Sequence, residues 1–204
     1  MKKAVCISTL SALALVLAGN SMAQESPWQI RLRADYLKPA NKSDPIGGVG
    51  ASDRLQVNNK TIPEIDISYF FTSNWVAELV LTYPQKQNVS LDGKNIGSFK
   101  HLPPTLTLQY HFLPQAQFSP YLGAGVSYTR ISNVDLLNGA GSLDNSSWGL
   151  ALQAGLDYKL DKNWLLNLDV KKLQIRSDVY AGGEKISRVQ IDPWLIGMGV
   201  GYRF

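Results

Sequence analysis

The chain has 204 residues, one cysteine and a formal net charge of +4, which falls to +2 once Lys2 and Lys3 are set aside. That length fits one domain, and its 20 Lys and Arg are scattered among 16 Asp and Glu, which leaves no nucleic-acid patch. Past residue 23 no run of ~18 apolar residues remains, which excludes a transmembrane helix but not a β-barrel, whose strands are only half apolar.

Residues 1–23 read as a cleaved signal peptide. Lys2 and Lys3 supply the positive start, Ala4 to Ala18 the apolar run, and Ser21-Met22-Ala23 the small-x-small cleavage site. Cys6 leaves with it, so the mature segment 24–204 is stabilised without disulfides.

The segment WQIRLRADY (28–36) then alternates: Trp28, Ile30, Leu32, Ala34 and Tyr36 against Gln29, Arg31, Arg33 and Asp35. Period two marks a strand with two unlike faces. Seven more segments repeat it. They start from Glu64, Trp75, Thr105, Tyr121, Trp148, Trp164 and Trp194, and the last runs to Phe204. In the seventh the phase slips near Lys172, which predicts a bulge.

The connections alternate in length. Thr72-Ser73-Asn74, Leu113 to Ser119 and Asp161-Lys162-Asn163 are short. Lys38 to Lys60, Pro84 to His101, Arg130 to Ser146 and Arg176 to Arg188 are long. Short turns on one side and long loops on the other predict an eight-stranded antiparallel outer-membrane barrel. Aromatics fix its orientation. Trp28, Trp75, Trp164, Phe71, Phe112, Tyr158 and Phe204 fall at the short-turn ends, and Tyr36, Tyr83, Tyr128, Trp148 and Trp194 at the long-loop ends. All share the apolar phase. Two aromatic girdles bracketing an aliphatic band predict that this phase faces lipid and the charges face the lumen. Tyr202 and Phe204, in step at the end of the last strand, look like the assembly signal that the barrel assembly machinery reads.

His101-Leu-Pro-Pro-Thr105, Pro120-Tyr121-Leu-Gly-Ala-Gly125, SWGLALQAGLDY (147–158), and IDPW (191–194) leading to GVGYRF (199–204) occur in that order. Together they resemble the OmpW/AlkL family of small outer-membrane barrels over nearly the whole mature chain. The resemblance implies a Gram-negative outer-membrane protein that passes small, mostly hydrophobic molecules and releases them sideways into the membrane.

The residues suggest where such an exit would lie. Pro84 ends the third strand, and Pro103 and Pro104 begin the fourth, facing it across one hairpin. Proline cannot donate to a ladder. Two readings stay open: an unzipped seam between strands three and four, or prolines that only end the strands.

The inward phase places Arg31, Arg33, Asp35, Glu64, Asp66, Glu78, Asp157, Lys159, Asp169, Lys171 and Arg203 in the lumen. Eight strands leave just enough room for side chains, so these must pair or stay wet. A charge network closing the periplasmic half is expected, with inward glycines such as Gly155, Gly197, Gly199 and Gly201 making room. Leu55, Val57, Val76, Val80 and Leu165 are candidates for an apolar lining. Lys171-Lys172 stands where the family tends to carry aromatics, so a more cationic passage is expected, open to amphipathic or anionic ligands.

No catalytic, metal or cofactor site is expected. The two histidines are His101 and His111; His111 could approach Asp66 or Ser68, but a hydrogen-bonded lumen histidine is the plainer reading. The expected partners are outer-membrane lipid and a small hydrophobic or amphipathic ligand, and the barrel is expected to be a monomer. A closed structural barrel and a surface receptor or adhesin stand as alternatives, the latter because loops 38–60 and 130–146 are rich in Gly, Asn, Ser and Asp.

Overall fold

Alternating segments become strands because only an extended backbone puts every second side chain on one face. The computed structural model describes residues 26–204; the predicted signal peptide lies outside the described residues. Fifteen strands follow in chain order: β1 (Trp28–Lys38), β2 (Lys42–Ser43), β3 (Leu55–Val57), β4 (Lys60–Phe70), β5 (Trp75–Leu81), β6 (Gln85–Leu91), β7 (Lys94–Leu102), β8 (Thr105–His111), β9 (Phe118–Leu136), β10 (Gly141–Leu143), β11 (Ser146–Lys159), β12 (Trp164–Leu173), β13 (Arg176–Ala181), β14 (Glu184–Gln190) and β15 (Trp194–Arg203).

Strands β1, β4, β5, β8, β9, β11, β12 and β15 pair antiparallel in that order. β15 returns to β1 in the register Gln29↔Arg203 through Lys38↔Trp194. This is the closed eight-stranded antiparallel barrel that the alternation predicts. The other strands extend its long-loop side.

Two expectations are corrected. The links 84–101 and 176–188 are not irregular loops but the hairpins β6–β7 and β13–β14, and β9 runs on to Leu136. Their tips explain it: Asp92-Gly93 and Gly182-Gly183 all take positive φ, which the tight two-residue turn requires. Nor is there a bulge at Lys172. β12 holds one register with β11 from Lys159↔Leu165 to Ala151↔Leu173. Lys172 simply occupies the outward phase at the rim, its amine 5.0 Å from the Trp194 ring centroid and donating to the Asp192 carbonyl. A long stem lets the charge reach the membrane surface.

The two faces are inverted relative to a water-soluble barrel. Outward Leu152, Leu168 and Met198 are 61%, 54% and 64% exposed, whereas inward Arg31 and Glu78 are fully buried. Aromatics at the short-turn rim meet edge to face in three triads across neighbouring strands or turns: Trp28–Tyr69–Phe71, Trp75–Tyr110–Phe112 and Trp164–Tyr202–Phe204, with centroids 4.9–5.2 Å apart. Such pairs prefer this edge-on geometry, and the rings sit where a membrane interface would hold them.

Leu168 lies mid-strand on this outward face. Leu168→Arg is expected to lower folding stability in lipid by about 2–4 kcal/mol, and reversible urea unfolding in bilayers would measure it. A change close to zero would mean that this face does not meet hydrocarbon.

Candidate functional site

The interior has two storeys. The lower is polar and begins with β1, whose inward residues rise as Gln29, Arg31, Arg33 and Asp35. Arg31 ion-pairs with Glu78 and, at 2.6 Å, with Asp157, and it donates to Ser68 at 2.9 Å. Arg33 reaches Asp66 at 2.7 Å, Glu64 and Glu78 at 3.1 Å, and Asp169 at 3.3 Å. Lys171 pairs with Glu64, and with Asp169 at 3.3 Å and Asp35 at 3.7 Å. Burying charge is costly unless it is paired and hydrogen-bonded, and here neutral groups add hydrogen bonds to Glu78, Asp157 and Asp169, while Asp35 and Asp66 rest on ion pairing alone. The Gln153 amide donates to Glu78 and Asp169 (2.9 and 2.8 Å), Asn167 to Asp157 (2.7 Å) and the Tyr121 hydroxyl to Asp169 (2.7 Å).

Nine of the eleven predicted network residues therefore meet in one layer. Two do not belong to it. Lys159 donates to the Pro114 carbonyl, and the Arg203 guanidinium lies 3.9 Å from the Phe70 ring centroid. Both line a cavity of ≈ 90 Å³ at the periplasmic mouth, because they sit one step below the layer in the inward phase. The layer thus crosses the barrel above that mouth. Gln153, Asn167 and Tyr121 were overlooked among the charges, although the same inward phase marks them.

Close packing seals the layer. A Cβ at Gly155 would overlap the Tyr121 ring, one at Gly197 the Asp35 carboxylate, and one at Gly199 the stem of Arg33. The expected cationic passage is also corrected. Lys171 is fully engaged, and three cations face six carboxylates in the layer, so its formal balance is negative.

The upper storey is apolar. Leu37, Ile62, Phe99, Leu173, Ile175 and Leu195 form the centre of one buried cluster that continues into the external hairpins. The predicted lining residues scatter along the axis. Leu55 and Val57 sit in that external cluster, Val80 lines a small cavity between the storeys, and Val76 and Leu165 lie near the periplasmic end. The main apolar lining was legible as Leu37 and Leu195, where the inward phase turns from charged to aliphatic.

The predicted prolines mark a change in the wall. The β5–β8 ladder ends at Val80↔Thr105, and the β6–β7 ladder begins at Gln85↔His101 with its register shifted by one. Thr82 to Pro84 and Leu102 to Pro104 lie between. On the other side of Thr82–Pro84 the interruption is longer. β4–β5 pairing ends at Ile65↔Leu81, and backbone pairing in line with it resumes only where Asn58 donates to the Asn88 carbonyl at 3.3 Å. A further proline, Pro63, lies in this stretch, its carbonyl accepting from the Thr82 hydroxyl at 2.7 Å. The cavity of ≈ 10 Å³ between the storeys abuts this corner, bounded by Ile62, Val80, Thr82, His101, Pro103 and Thr105 among others.

His111 stacks on Tyr121 with centroids 4.9 Å apart, and its ring nitrogens lie 3.3 Å from Ser119 Oγ and Gln109 Oε1. It meets neither Asp66, which pairs with Arg33, nor Ser68, which bonds Arg31 and Glu78.

The OmpW family model matches residues 24–204. The chain is 46% identical to the outer-membrane protein y4mB of Sinorhizobium fredii over 186 residues, covering 88% of this chain and 80% of that one. It is 32% identical to outer membrane protein W of Vibrio cholerae over the full length of both. It is 28% identical to the dibenzothiophene metabolism operon protein PahQ of Pseudomonas aeruginosa, covering 92% and 93%. Among solved structures, the outer membrane protein OprG of Pseudomonas aeruginosa superposes with a TM-score of 0.77 at 29% identity, covering 89% of this chain and 97% of that one. A lipid-facing barrel with a family match over residues 24–204 is an outer-membrane protein, and this chain belongs to the OmpW family.

Proposed function

We propose that this barrel gives small hydrophobic or amphipathic molecules a passive route from the cell exterior into the outer membrane, entering by the apolar upper storey and leaving sideways through the wall. The role is non-catalytic and uses no cofactor. One observation carries the reading: the wall ladder stops at the height where the apolar interior meets the charge layer. A molecule descending the apolar storey meets ion-paired side chains below it and an unladdered wall beside it. Apolar cargo loses little on passing from an apolar interior to lipid, and much on entering a layer of buried charge. The likeness to a protein of a dibenzothiophene metabolism operon supports cargo of the same apolar class.

Uptake of a small apolar compound such as n-octane by a deletion strain, with and without the protein restored, tests the route. Restoration is expected to speed uptake, and joint replacement of Pro84, Pro103 and Pro104 by alanine to slow it several-fold. Unchanged uptake in the proline variant would rule out the sideways exit. Equal uptake with and without a folded, inserted barrel would favour a closed structural barrel or a surface receptor.

The charge layer gives a second test. Tyr121 lies against Gly155, where no side chain can replace its ring. In planar bilayers Tyr121→Ala is therefore expected to raise ion conductance several-fold above a low parental level. A high parental conductance that Tyr121→Ala leaves unchanged would mean that the axis is open.

A further inference from the structure

His101 opens the HLPPT segment, and its imidazole is completely buried. It points into the ≈ 10 Å³ cavity at the wall break, which holds about one water-sized group. Neither ring nitrogen has a hydrogen-bond partner among the described residues. It is not alone. Gln85, directly opposite on β6, leaves its side-chain oxygen unpartnered, its amide nitrogen donating to the Tyr83 carbonyl at 3.0 Å. One step outward, both amide atoms of Gln87 are unpartnered, and on β9 so is the Thr129 hydroxyl. All four side chains are 0–1% exposed.

Orphaned buried polar groups are rare in folded proteins, and each asks for an explanation. Four on the adjacent strands β6, β7 and β9, beside an apolar storey, leave donors and acceptors unanswered among the described residues, and His101 is the one that lines the cavity. Their chemistry defines the answer. A neutral imidazole offers one donor and one acceptor, a primary amide both, and a hydroxyl both. His101 is completely buried and forms no ion pair among the described residues, and burial favours the neutral imidazole over the charged one. The charge layer beneath has a formal excess of carboxylates, and its Lys171 is committed to Glu64, so nothing there welcomes an anion.

We infer that His101, with Gln85, Gln87 and Thr129, forms a polar recognition site at the wall break that takes the uncharged hydroxyl or carbonyl head of an otherwise apolar molecule. The cavity admits the head alone, and the apolar body stays against the aliphatic storey or the break. This deepens the uptake reading and rests on it for its physiological meaning, but binding at His101 can be tested separately from transport.

The chain has just two histidines, so ¹⁵N-histidine labelling of the purified full-length mature barrel in bilayers gives two ring signals, assigned with His111→Gln. Adding 1-octanol is expected to shift the His101 signals; n-octane and octanoate are expected to leave them in place. In cells, His101→Leu is expected to lower the ratio of octanol to octane uptake about fivefold to tenfold, the size of one buried hydrogen bond, and His101→Gln to restore much of it. Because no hydrogen bond among the described residues is lost, and leucine keeps an apolar contact with Phe99, His101→Leu should not lower thermal stability, whereas a structural histidine would. His101 signals unmoved by octanol, moved equally by octane or octanoate, or an unchanged uptake ratio in His101→Leu would each overturn the site. Failure of the barrel to speed uptake of either compound, with the octanol shift intact, would instead overturn the transport reading.

Discussion

Every backbone N–H and C=O that lies in hydrocarbon must find its partner inside the protein, since lipid offers none. For strands the one complete solution is closure, and β15 returning to β1 through ten paired positions supplies it. Closure fixes the rest. Eight strands enclose a volume that side chains fill, so the inward phase must be solved as a packing problem. Glycines 155, 197 and 199 stand where Tyr121, Asp35 and Arg33 need room.

Filling that space with charge also gives the barrel a defined inside. The side-chain period is two, so a slip of one residue exchanges the faces of a strand. If both faces were aliphatic, such a slip would cost little. With Arg31, Arg33 and Lys171 held by six carboxylates from β1, β4, β5, β11 and β12, a slipped strand would put unpaired ions into lipid. Removing one partner from a buried pair costs about 3–5 kcal/mol, so the layer penalises wrong registers more than it adds to stability.

The alternation carried most of this into the sequence. The barrel strands, the inward charges and the girdles are all period-two features, local to each segment. What could not be read locally is height. Lys159 and Lys171 share the inward phase, yet one meets the Pro114 carbonyl at the mouth and the other Glu64 in the layer. Their levels depend on how neighbouring strands are staggered, which no single strand encodes. The same gap in information made Lys171 suggest a more cationic passage, since its three carboxylate partners come from β1, β4 and its own strand at a matching height. The external hairpins were a different omission, because Asp92-Gly93 is a local turn signal within a segment read only as a long connection.

The position of the wall break follows from the constraint that closed the barrel. Pro63, Pro84, Pro103 and Pro104 remove donors, and the ladders beside them lapse. Deep in hydrocarbon each orphaned group would cost several kcal/mol. Here the lapse is at the height of the external girdle. Tyr36 pairs with Thr61 within the interrupted part of β4, and Tyr83, 54% exposed, lies in the break itself. At that level water and headgroups can satisfy what the ladder leaves unpaired, so the wall is interrupted where interruption is cheap. The apolar storey reaches down to the same level and the charge layer starts just beneath it. That coincidence of heights, set by strand stagger and not by any one residue, is what favours a route through the wall over one along the axis.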